Sequence, residues 1–179
     1  ASQALATRQA NRIELERRSL RRLTEDLRTA RDSLTYRANH DALTGLVNRT
    51  FFADEVRRAI RGARPDQKMA LVFIDLDGFK QVNDYYGHAV GDELLIEVAT
   101  RLRRHGAGGD VLARVSGDEF IALVNSITGF AELETRLIAA VRDLREPFEI
   151  GGRPIRVSAS VGISLYPDHG TTYDGLRRH

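Results

Sequence analysis

The chain has 179 residues, of which 42% are hydrophobic and 29% charged, enough for one globular domain with a sizeable core and an appendage. Its net charge of +2 is uneven, because residues 1–37 carry nine arginines against five acids while the remainder has an acidic excess, and this argues against a nucleic-acid-binding body. No apolar stretch reaches the roughly 18 residues of a membrane helix, and without cysteine the chain has no disulfide or thiolate metal site.

The first predicted element is one long helix over residues 2–37, a segment that contains neither glycine nor proline. Five of its small or apolar residues recur at alternating steps of three and four. They are Leu20, Leu23, Leu27, Ala30 and Leu34. Because this stripe is narrower than the face of a helix packed on its own domain, it favours a coiled coil over an amphipathic helix that lies on the domain. We therefore predict a helical stalk at residues 1–38 that pairs two copies of the chain.

A globular domain is predicted to follow over residues 39–179. In chain order, the apolar patterns predict a helix at 51–60, a strand at 69–74, a helix at 94–102, a hairpin at 111–115 and 120–124, a helix at 130–144, and a second strand pair at 148–150 and 155–165. This order of helices and hairpins indicates an α+β fold, in which helices flank a central and largely antiparallel sheet.

Two aspartates close the first predicted strand, in the segment FIDLDGFK at residues 73–80. Asp75 and Asp77 are two residues apart, so on an extended strand their carboxylates lie on the same face. Carboxylate oxygens suit a hard cation such as Mg²⁺, and Gly78 would let backbone amides approach a phosphate. Taken alone, the segment has a simpler interpretation, since aspartate and glycine after a strand commonly form a turn.

A second acidic pair, Asp118 and Glu119, lies in the turn of the predicted hairpin, after Ser116 and Gly117. A polar hairpin tip without function is the alternative interpretation. If the two acidic strands are neighbours in the sheet, Asp75 and Asp118 could share metal ions. Metal ions held in this way support phosphoryl transfer, because they clamp a triphosphate and neutralise its developing charge.

Four segments resemble, in order and spacing, the motifs of the diguanylate cyclase (GGDEF) domain family. They read DALTGLVNR at 41–49, FIDLDGFKQVNDYYGHAVGD at 73–92, RVSGDEF at 114–120 and SVGIS at 160–164. The resemblance covers residues 39–179 and implies the nucleotidyl cyclase, palm-like form of the α+β fold behind a signalling helix. It also implies an activity, in which two GTP molecules condense to cyclic di-GMP and two pyrophosphates at a homodimer interface, with Mg²⁺ or Mn²⁺ as cofactor.

The resemblance implies metal-binding and catalytic roles for the two acidic segments. Metal binding falls to Asp75, the Leu76 carbonyl, Asp118 and Glu119, and catalysis falls to Lys80, Asp118 and Glu119. In this scheme Glu119 helps to deprotonate the 3′-hydroxyl of one GTP or supports a second metal ion. The nucleophile is then an oxygen of the substrate itself.

Substrate contacts are implied for further matching residues. The backbone at Gly78, Phe79, Ser116 and Gly117 would lie by the phosphates, and Asn83 and Asp92 would read the guanine edge. Adenine presents a different donor pattern to Asp92, so GTP would be favoured over ATP. Without the resemblance, Asn83 and Asp92 would be interpreted as helix caps around residues 87 and 88.

The chain departs from the family pattern at three places. Ser116 replaces the first glycine of the signature, which adds a side chain and disfavours positive φ, so we expect activity to be reduced rather than lost. Residues 107–110 lack the arginine of the family's Arg-x-x-Asp product-inhibition motif, so we expect no feedback by cyclic di-GMP there. The chain stops before a later helix with a phosphate-contacting lysine and a last strand, so we expect the C-terminal end of the domain to be missing.

Two other functions stay open at this point. One is a degenerate domain that binds GTP and regulates an attached cyclic di-GMP phosphodiesterase domain, and the other is a dimerisation module, which would leave the acidic segments unexplained. The expected partners are GTP, a second copy of the chain, a fused sensor domain upstream and a phosphodiesterase domain downstream. We predict a cytoplasmic location, either free or as the cytoplasmic part of a membrane-tethered protein.

Overall fold

A helix of 38 residues, α1 (Ser2–Asn39), forms nearly all of the first of two units into which the chain divides between residues 38 and 39. The computed structural model describes the backbone of residues 2–178 and the side chains of residues 14–178. Four leucines of the predicted seam, Leu20, Leu23, Leu27 and Leu34, are 55–66% exposed. Across the described residues, none of the helices combines the length and the hydropathy that a membrane span requires.

The second unit is built on a central sheet. The described residues contain six strands, which are β1 (Met69–Asp77), β2 (Val111–Ser116), β3 (Glu119–Val124), β4 (Phe148–Ile150), β5 (Arg153–Ile155) and β6 (Ser158–Tyr166). Four of them form one sheet in the order β2-β3-β1-β6, and every neighbouring pair in it is antiparallel. The strands β4 and β5 pair only with each other.

Five helices accompany the strands in the described part of this unit. They are α2 (Arg49–Arg61), α3 (Phe79–Tyr86), α4 (His88–Arg104), α5 (Phe130–Arg145) and α6 (Tyr173–Arg178). Asn48 begins α2, because its side chain accepts a hydrogen bond from the Phe51 amide at 3.0 Å. Helices α4 and α5 share one core with the sheet, and α2 and α6 share another.

The central strand β1 contributes to both cores. Ala70, Val72 and Ile74 join the core that contains α4 and α5, whereas Met69 and Leu71 join the core that contains α2 and α6. Successive side chains of a strand point to opposite faces of the sheet, so a strand covered on both faces must be apolar at every position. This explains why residues 69–74 form an uninterrupted apolar run that ends only where the aspartates begin.

The predicted fold class is confirmed, with helices around a central antiparallel sheet and a long N-terminal helix. The predicted pairing of residues 148–150 with 155–165 is wrong for most of its length. The strand β5 stops at Ile155, whereas β6 lies along β1 from the pair Met69 and Tyr166 to the pair Asp77 and Ser158. Apolar alternation marks a strand but carries no information about the strand it will pair with.

One element of functional interest, α3, was not predicted from the sequence pattern. It has eight residues, of which only Phe79 and Val82 are buried. Two buried positions are too few to reveal a helical period. The helix nevertheless links the end of β1 to α4, and its residues fall within the segment that the family resemblance singles out.

Candidate functional site

The register of the sheet brings the two acidic segments together. Asp75 of β1 lies directly opposite Glu119 of β3, and the Leu76 amide donates a hydrogen bond of 3.4 Å to the Asp118 carbonyl. The hairpin turn between β2 and β3 therefore lies beside the end of β1. From the sequence, a metal site shared by Asp75 and Asp118 depended on β1 and the hairpin being neighbours, and the sequence did not show whether they are.

The carboxylate of Asp75 is crowded by negative charge. Desolvation is the largest cause that raises its pKa, and three nearby carboxylates raise it further. These belong to Asp118, Glu119 and Asp77. Among the described residues, no hydrogen bond or ion pair reaches the side chain of Asp75 or Asp118. Carboxylates that repel one another and form no ion pair within the protein are stabilised by a bound cation, so the donor set fits a hard divalent metal ion.

The acidic site is not a closed protein cage for a metal. Over the described residues, no group of three or more His, Asp or Glu side chains is arranged to hold one ion. Mg²⁺ in proteins commonly keeps several waters and binds through one or two carboxylates together with substrate phosphates. The paired carboxylates at this edge of the sheet fit this coordination of Mg²⁺ better than they fit a Ca²⁺ or Zn²⁺ site.

Asp77 differs from Asp75 although both lie on the same face of β1. Its two oxygens accept hydrogen bonds from Ser160 at 2.7 Å and from Ser158 at 2.8 Å, both on the neighbouring strand β6. These two bonds lower the pKa of Asp77. Asp77 is thus engaged within the sheet, and Asp75 is the aspartate of β1 that stays available to a ligand.

The hairpin turn is anchored to a turn near the start of the domain. Arg114 of β2 donates to the Gly117 carbonyl at 2.9 Å and forms an ion pair of 3.2 Å with Asp41. Asp41 also accepts hydrogen bonds from the amide and the hydroxyl of Thr44, at 2.9 and 2.7 Å. Burial acts to raise the pKa of Asp41, but the hydrogen bonds from Thr44 and Arg114 outweigh it and lower this pKa. Sequence reasoning gave Asp41 no role, although its segment was part of the family resemblance.

Ser116 does not occupy the strained conformation that the sequence suggested. Within the described part of the chain, positive φ angles occur only at glycines, and in this turn the left-handed residue is Gly117, with φ of 45°. A β-bulge separates Arg114 from Ser116 in the pairing of β2 with β3. The Ser116 hydroxyl donates to the Glu119 carboxylate at 2.6 Å. The expected strain is therefore wrong, and the effect of the serine falls on Glu119 instead.

The end of β1 leads directly into α3. Gly78 is left-handed, with φ of 82°, and no side chain caps the helix at this position. The first amides of α3, at Phe79 and Lys80, consequently have no acceptor within the helix, which is the arrangement that binds anions at helix starts. The Phe79 side chain is buried in the core, while Lys80 is exposed.

Asn83 and Asp92 are not helix caps. The residues at the starts of α3 and α4 are Gly78 and Gly87, whereas Asn83 lies in the last turn of α3 and Asp92 lies inside α4. The side-chain oxygen of Asn83 is buried without a hydrogen-bond partner. Asp92 is exposed, and no described residue hydrogen-bonds to its carboxylate. The capping interpretation is therefore wrong, and both side chains have unused hydrogen-bonding capacity.

An open pocket of about 480 Å³ borders the acidic site. Its lining includes Asp75 and Glu119 on the sheet and Arg177 on α6. Arg177 also stacks over the Tyr173 ring, with 5.6 Å from the guanidinium carbon to the ring centroid. Sequence reasoning missed this arginine, because no motif marks it and only the packing of α6 brings it to the sheet.

In the segment at residues 107–110, the single acidic residue, Asp110, is bound by other groups of the domain. Asp110 forms an ion pair with Arg136 of α5 and accepts hydrogen bonds from the Ala107 amide at 2.9 Å and the Asn125 amide at 3.2 Å. These contacts close the loop between α4 and β2. They leave Asp110 fully engaged within the domain.

Comparison with known proteins gives a consistent result. The family model described as diguanylate cyclase, GGDEF domain, matches residues 38–179. The chain is 44% identical over 151 residues to the bifunctional diguanylate cyclase/cyclic di-GMP phosphodiesterase MucR of Pseudomonas aeruginosa, across 84% of the chain and 22% of MucR. It is 41% identical over 157 residues to the cyclic di-GMP phosphodiesterase PdeR of Escherichia coli, across 88% of the chain and 23% of PdeR. It therefore spans less than a quarter of the length of either relative.

A solved structure agrees with the fold. The isolated GGDEF domain of TpbB (YfiN) from Pseudomonas aeruginosa is 36% identical to the chain and superposes with a TM-score of 0.75. The match covers 78% of the chain and 82% of that domain.

Proposed function

The chain belongs to the diguanylate cyclase GGDEF-domain family, and on this premise we propose that it condenses two GTP molecules into cyclic di-GMP and two pyrophosphates. The observation that carries the proposal is the pair of unengaged carboxylates, Asp75 and Asp118, beside the uncapped start of α3. A triphosphate is the ligand that uses both features at once, because it needs a cation and amide donors together.

The acidic residues would hold Mg²⁺ or Mn²⁺. Asp75 and Asp118 would bind through carboxylates and Leu76 through its carbonyl, with Glu119 as a further carboxylate at the same edge. When bound, the ion supplies charge neutralisation for the triphosphate. The support for this assignment is the unpartnered state and raised pKa of Asp75.

The backbone around two glycines would receive the phosphates. Gly78 gives α3 a start without a capping side chain, so the amides of Phe79 and Lys80 are free to donate, and the exposed Lys80 ammonium adds positive charge. On the other side of the acidic edge, the turn at Ser116 and Gly117 would approach the same group. Together these donors would orient the α-phosphate for attack.

Asn83 and Asp92 would select guanine. Guanine presents an acceptor oxygen beside two kinds of N–H donor, so a site that reads it needs a donor next to a carboxylate. Asn83 and Asp92 offer those two functions, and neither is used inside the protein. Adenine reverses the donor and acceptor positions, which would leave Asp92 facing an acceptor.

The chemistry then needs one proton acceptor and two copies of the site. Glu119 would accept the proton of a 3′-hydroxyl, whose oxygen attacks the α-phosphate of the GTP held by the partner copy. One phosphate–oxygen bond forms as the bond to pyrophosphate breaks, and the second half-reaction repeats the exchange. One chain binds one GTP, so the reaction needs two chains. The exposed leucines of α1 support pairing of two chains through the stalk.

A second candidate function is GTP binding without cyclisation, with regulation of an attached phosphodiesterase domain. The hydrogen bond from Ser116 to Glu119 favours it, because it occupies an oxygen of the proposed proton acceptor. The similarity to MucR and PdeR supports a phosphodiesterase domain downstream. We further propose a sensor domain upstream and a cytoplasmic location for this domain, either free or as part of a membrane-tethered protein. Product feedback through residues 107–110 is not expected in either case, because Asp110 is engaged internally.

The deciding experiment incubates the chain with GTP and Mg²⁺ and measures pyrophosphate and cyclic dinucleotide. Formation of both, with ATP as an inert control and loss of activity on chelation, is the expected result. Guanine-selective binding without product would favour the regulatory function. Absence of GTP binding would refute both functions.

A further inference from the structure

Gly91 in α4 has no conformational reason to be glycine. It lies inside a helix, its φ is not in the left-handed region, and it is buried. Apart from proline, glycine is the least favourable residue at such a position, since it loses the most backbone entropy. A glycine here therefore points to a close approach by another group.

The group that approaches Gly91 is the carboxamide of Asn83. A Cβ atom at position 91 would lie 1.9 Å from Asn83 Oδ1 and 2.9 Å from Asn83 Cγ, both far inside van der Waals contact. The next nearest atom is Phe79 Cζ at 3.3 Å, which a small shift would accommodate. The absent side chain of Gly91 thus makes the space in which the Asn83 carboxamide lies.

This packing gives the two ends of the carboxamide different surroundings. Oδ1 is buried against α4 and accepts no hydrogen bond. Among the described residues, Nδ2 has no hydrogen-bond partner either. Unlike Oδ1, it is not buried, so it stays accessible to a ligand. Asn83 consequently presents a donor to the outside and turns its acceptor inward.

We infer that Gly91 is a specificity-determining residue, which acts by holding the Asn83 carboxamide with its N–H₂ group outward beside Asp92. The inference rests on the proposed function, because it supposes that this pair of residues reads a guanine. An outward donor next to an outward carboxylate matches the oxygen and N–H groups of guanine. If Asn83 were displaced or turned over, the match would be lost for guanine while the phosphate contacts at α3 remained.

The first test measures GTP and ATP affinity by calorimetry with Mg²⁺ in Gly91→Ala. The obstructing atoms belong to the tip of a side chain, so the variant should fold with Asn83 displaced. GTP affinity should fall by about tenfold, because the hydrogen bond from Asn83 to guanine is lost and the guanine acceptor is left unpaired. ATP affinity should change by less than about twofold. Gly108→Ala is the matched control, because a Cβ there meets nothing within 4 Å. It should leave both affinities unchanged.

The second test repeats Gly91→Ala in an Asn83→Ala background. If Gly91 acts through Asn83, the added change should lower GTP affinity by less than about twofold, because no carboxamide remains to be displaced. The thermal midpoint should rise in that background and not in the native one, since alanine is the better helix former. Equal losses of GTP and ATP affinity in both backgrounds would mean a general packing role and would overturn the inference.

The outcomes also separate this inference from the proposed function. A native chain that binds no GTP would overturn both. A native chain whose GTP affinity is indifferent to Gly91→Ala would overturn the role of Gly91 alone.

Discussion

Asp75 and Glu119 face each other as direct partners across the antiparallel pair of β1 and β3, with Asp118 in the adjoining turn. Two like charges directly opposite in a sheet are destabilising. No described lysine or arginine forms an ion pair with either carboxylate. The chain therefore tolerates repulsion at this edge, which is the expected property of a site that binds a cation together with an anionic substrate.

Asp75→Ala should abolish metal-dependent GTP binding and leave the fold intact. The variant removes one of the two unengaged carboxylates and also relieves repulsion, so its thermal midpoint should be equal to or above that of the native chain. Calorimetric titration of GTP with and without Mg²⁺ measures the effect. Asp77→Ala is a useful comparison, because Asp77 lies on the same face of β1 but is bonded to two serines. Unchanged GTP affinity in Asp75→Ala would refute the metal assignment.

Asp92→Ala should weaken GTP binding much more than ATP binding. Hydrogen bonds to a charged group contribute about 1.5–3 kcal/mol, which corresponds to a loss of at least tenfold in GTP affinity. The neighbouring Glu93→Ala changes an exposed acid on the same helix and should have little effect on either nucleotide. Equal weakening of GTP and ATP would indicate that Asp92 supports α4 rather than reads the base.

Ser116→Ala and Ser116→Gly should raise the rate of cyclisation to a similar extent. In the native chain the serine hydroxyl competes for the Glu119 carboxylate, and φ at this position is not left-handed, so removal of the hydroxyl is the change that matters. This hydrogen bond is made to a charged carboxylate, so its loss corresponds to a gain of about tenfold in rate. Turnover at saturating GTP is the measurement. A gain in the glycine variant alone would show that backbone freedom, and not the hydroxyl, limits activity.

Asp41→Asn should lower the free energy of unfolding at pH 7 by about 1–3 kcal/mol, because the charged hydrogen bonds with Arg114 and Thr44 are lost. The pKa of Asp41 is lowered in the folded chain, so its stabilisation is complete above about pH 4 and is lost as pH falls through the folded-state value. The difference between variant and native chain should therefore shrink below pH 4. Urea titrations at several pH values measure it.

Asp54→Asn provides the control for this pH dependence. Asp54 forms an exposed ion pair with Arg57 at 3.1 Å, and such surface pairs contribute little to stability. Its loss should change the free energy of unfolding by less than about 1 kcal/mol at any pH. A constant difference for Asp41→Asn across the acidic range would contradict the role assigned to its charge.

Replacement of Leu23 and Leu27 by glutamine should lower specific activity steeply in dilute protein. Stalk pairing raises the effective concentration of the second GTP-loaded domain without adding contacts to the site. GTP affinity per chain should be unchanged. Leu15→Gln is the control, since this exposed leucine lies off the seam. A specific activity that does not depend on protein concentration, and that the double change leaves intact, would mean that the stalk does not assemble the active dimer.

Local chemistry in the sequence was enough to predict the fold class and the main strands. The apolar run at 69–74 and the hairpin flanking residues 116–119 both appear in the structure, because burial on two faces and turn residues leave a pattern in neighbouring positions. The acidic residues at the strand ends indicated Asp75 and Asp118 as site residues, whereas Asn83 and Asp92 were proposed only by the resemblance to family motifs. The apolar pattern could not reveal α3, whose two buried residues are too few to set a period.

Only the tertiary structure decided which of these residues are free to act. The residue pattern by itself does not distinguish Asp75 from Asp77, although the family resemblance names Asp75. The structure supplies the physical difference, because the pairing of β1 with β6 engages Asp77 with serines and leaves Asp75 unbound. Likewise, φ angles exclude the strain expected at Ser116, and helix boundaries exclude the alternative interpretation of Asn83 and Asp92 as helix caps. Residue type is local, but hydrogen-bond partners come from strands and helices distant in sequence. The sequence by itself therefore determined the chemistry that the chain carries, and packing determined which groups remain unpartnered.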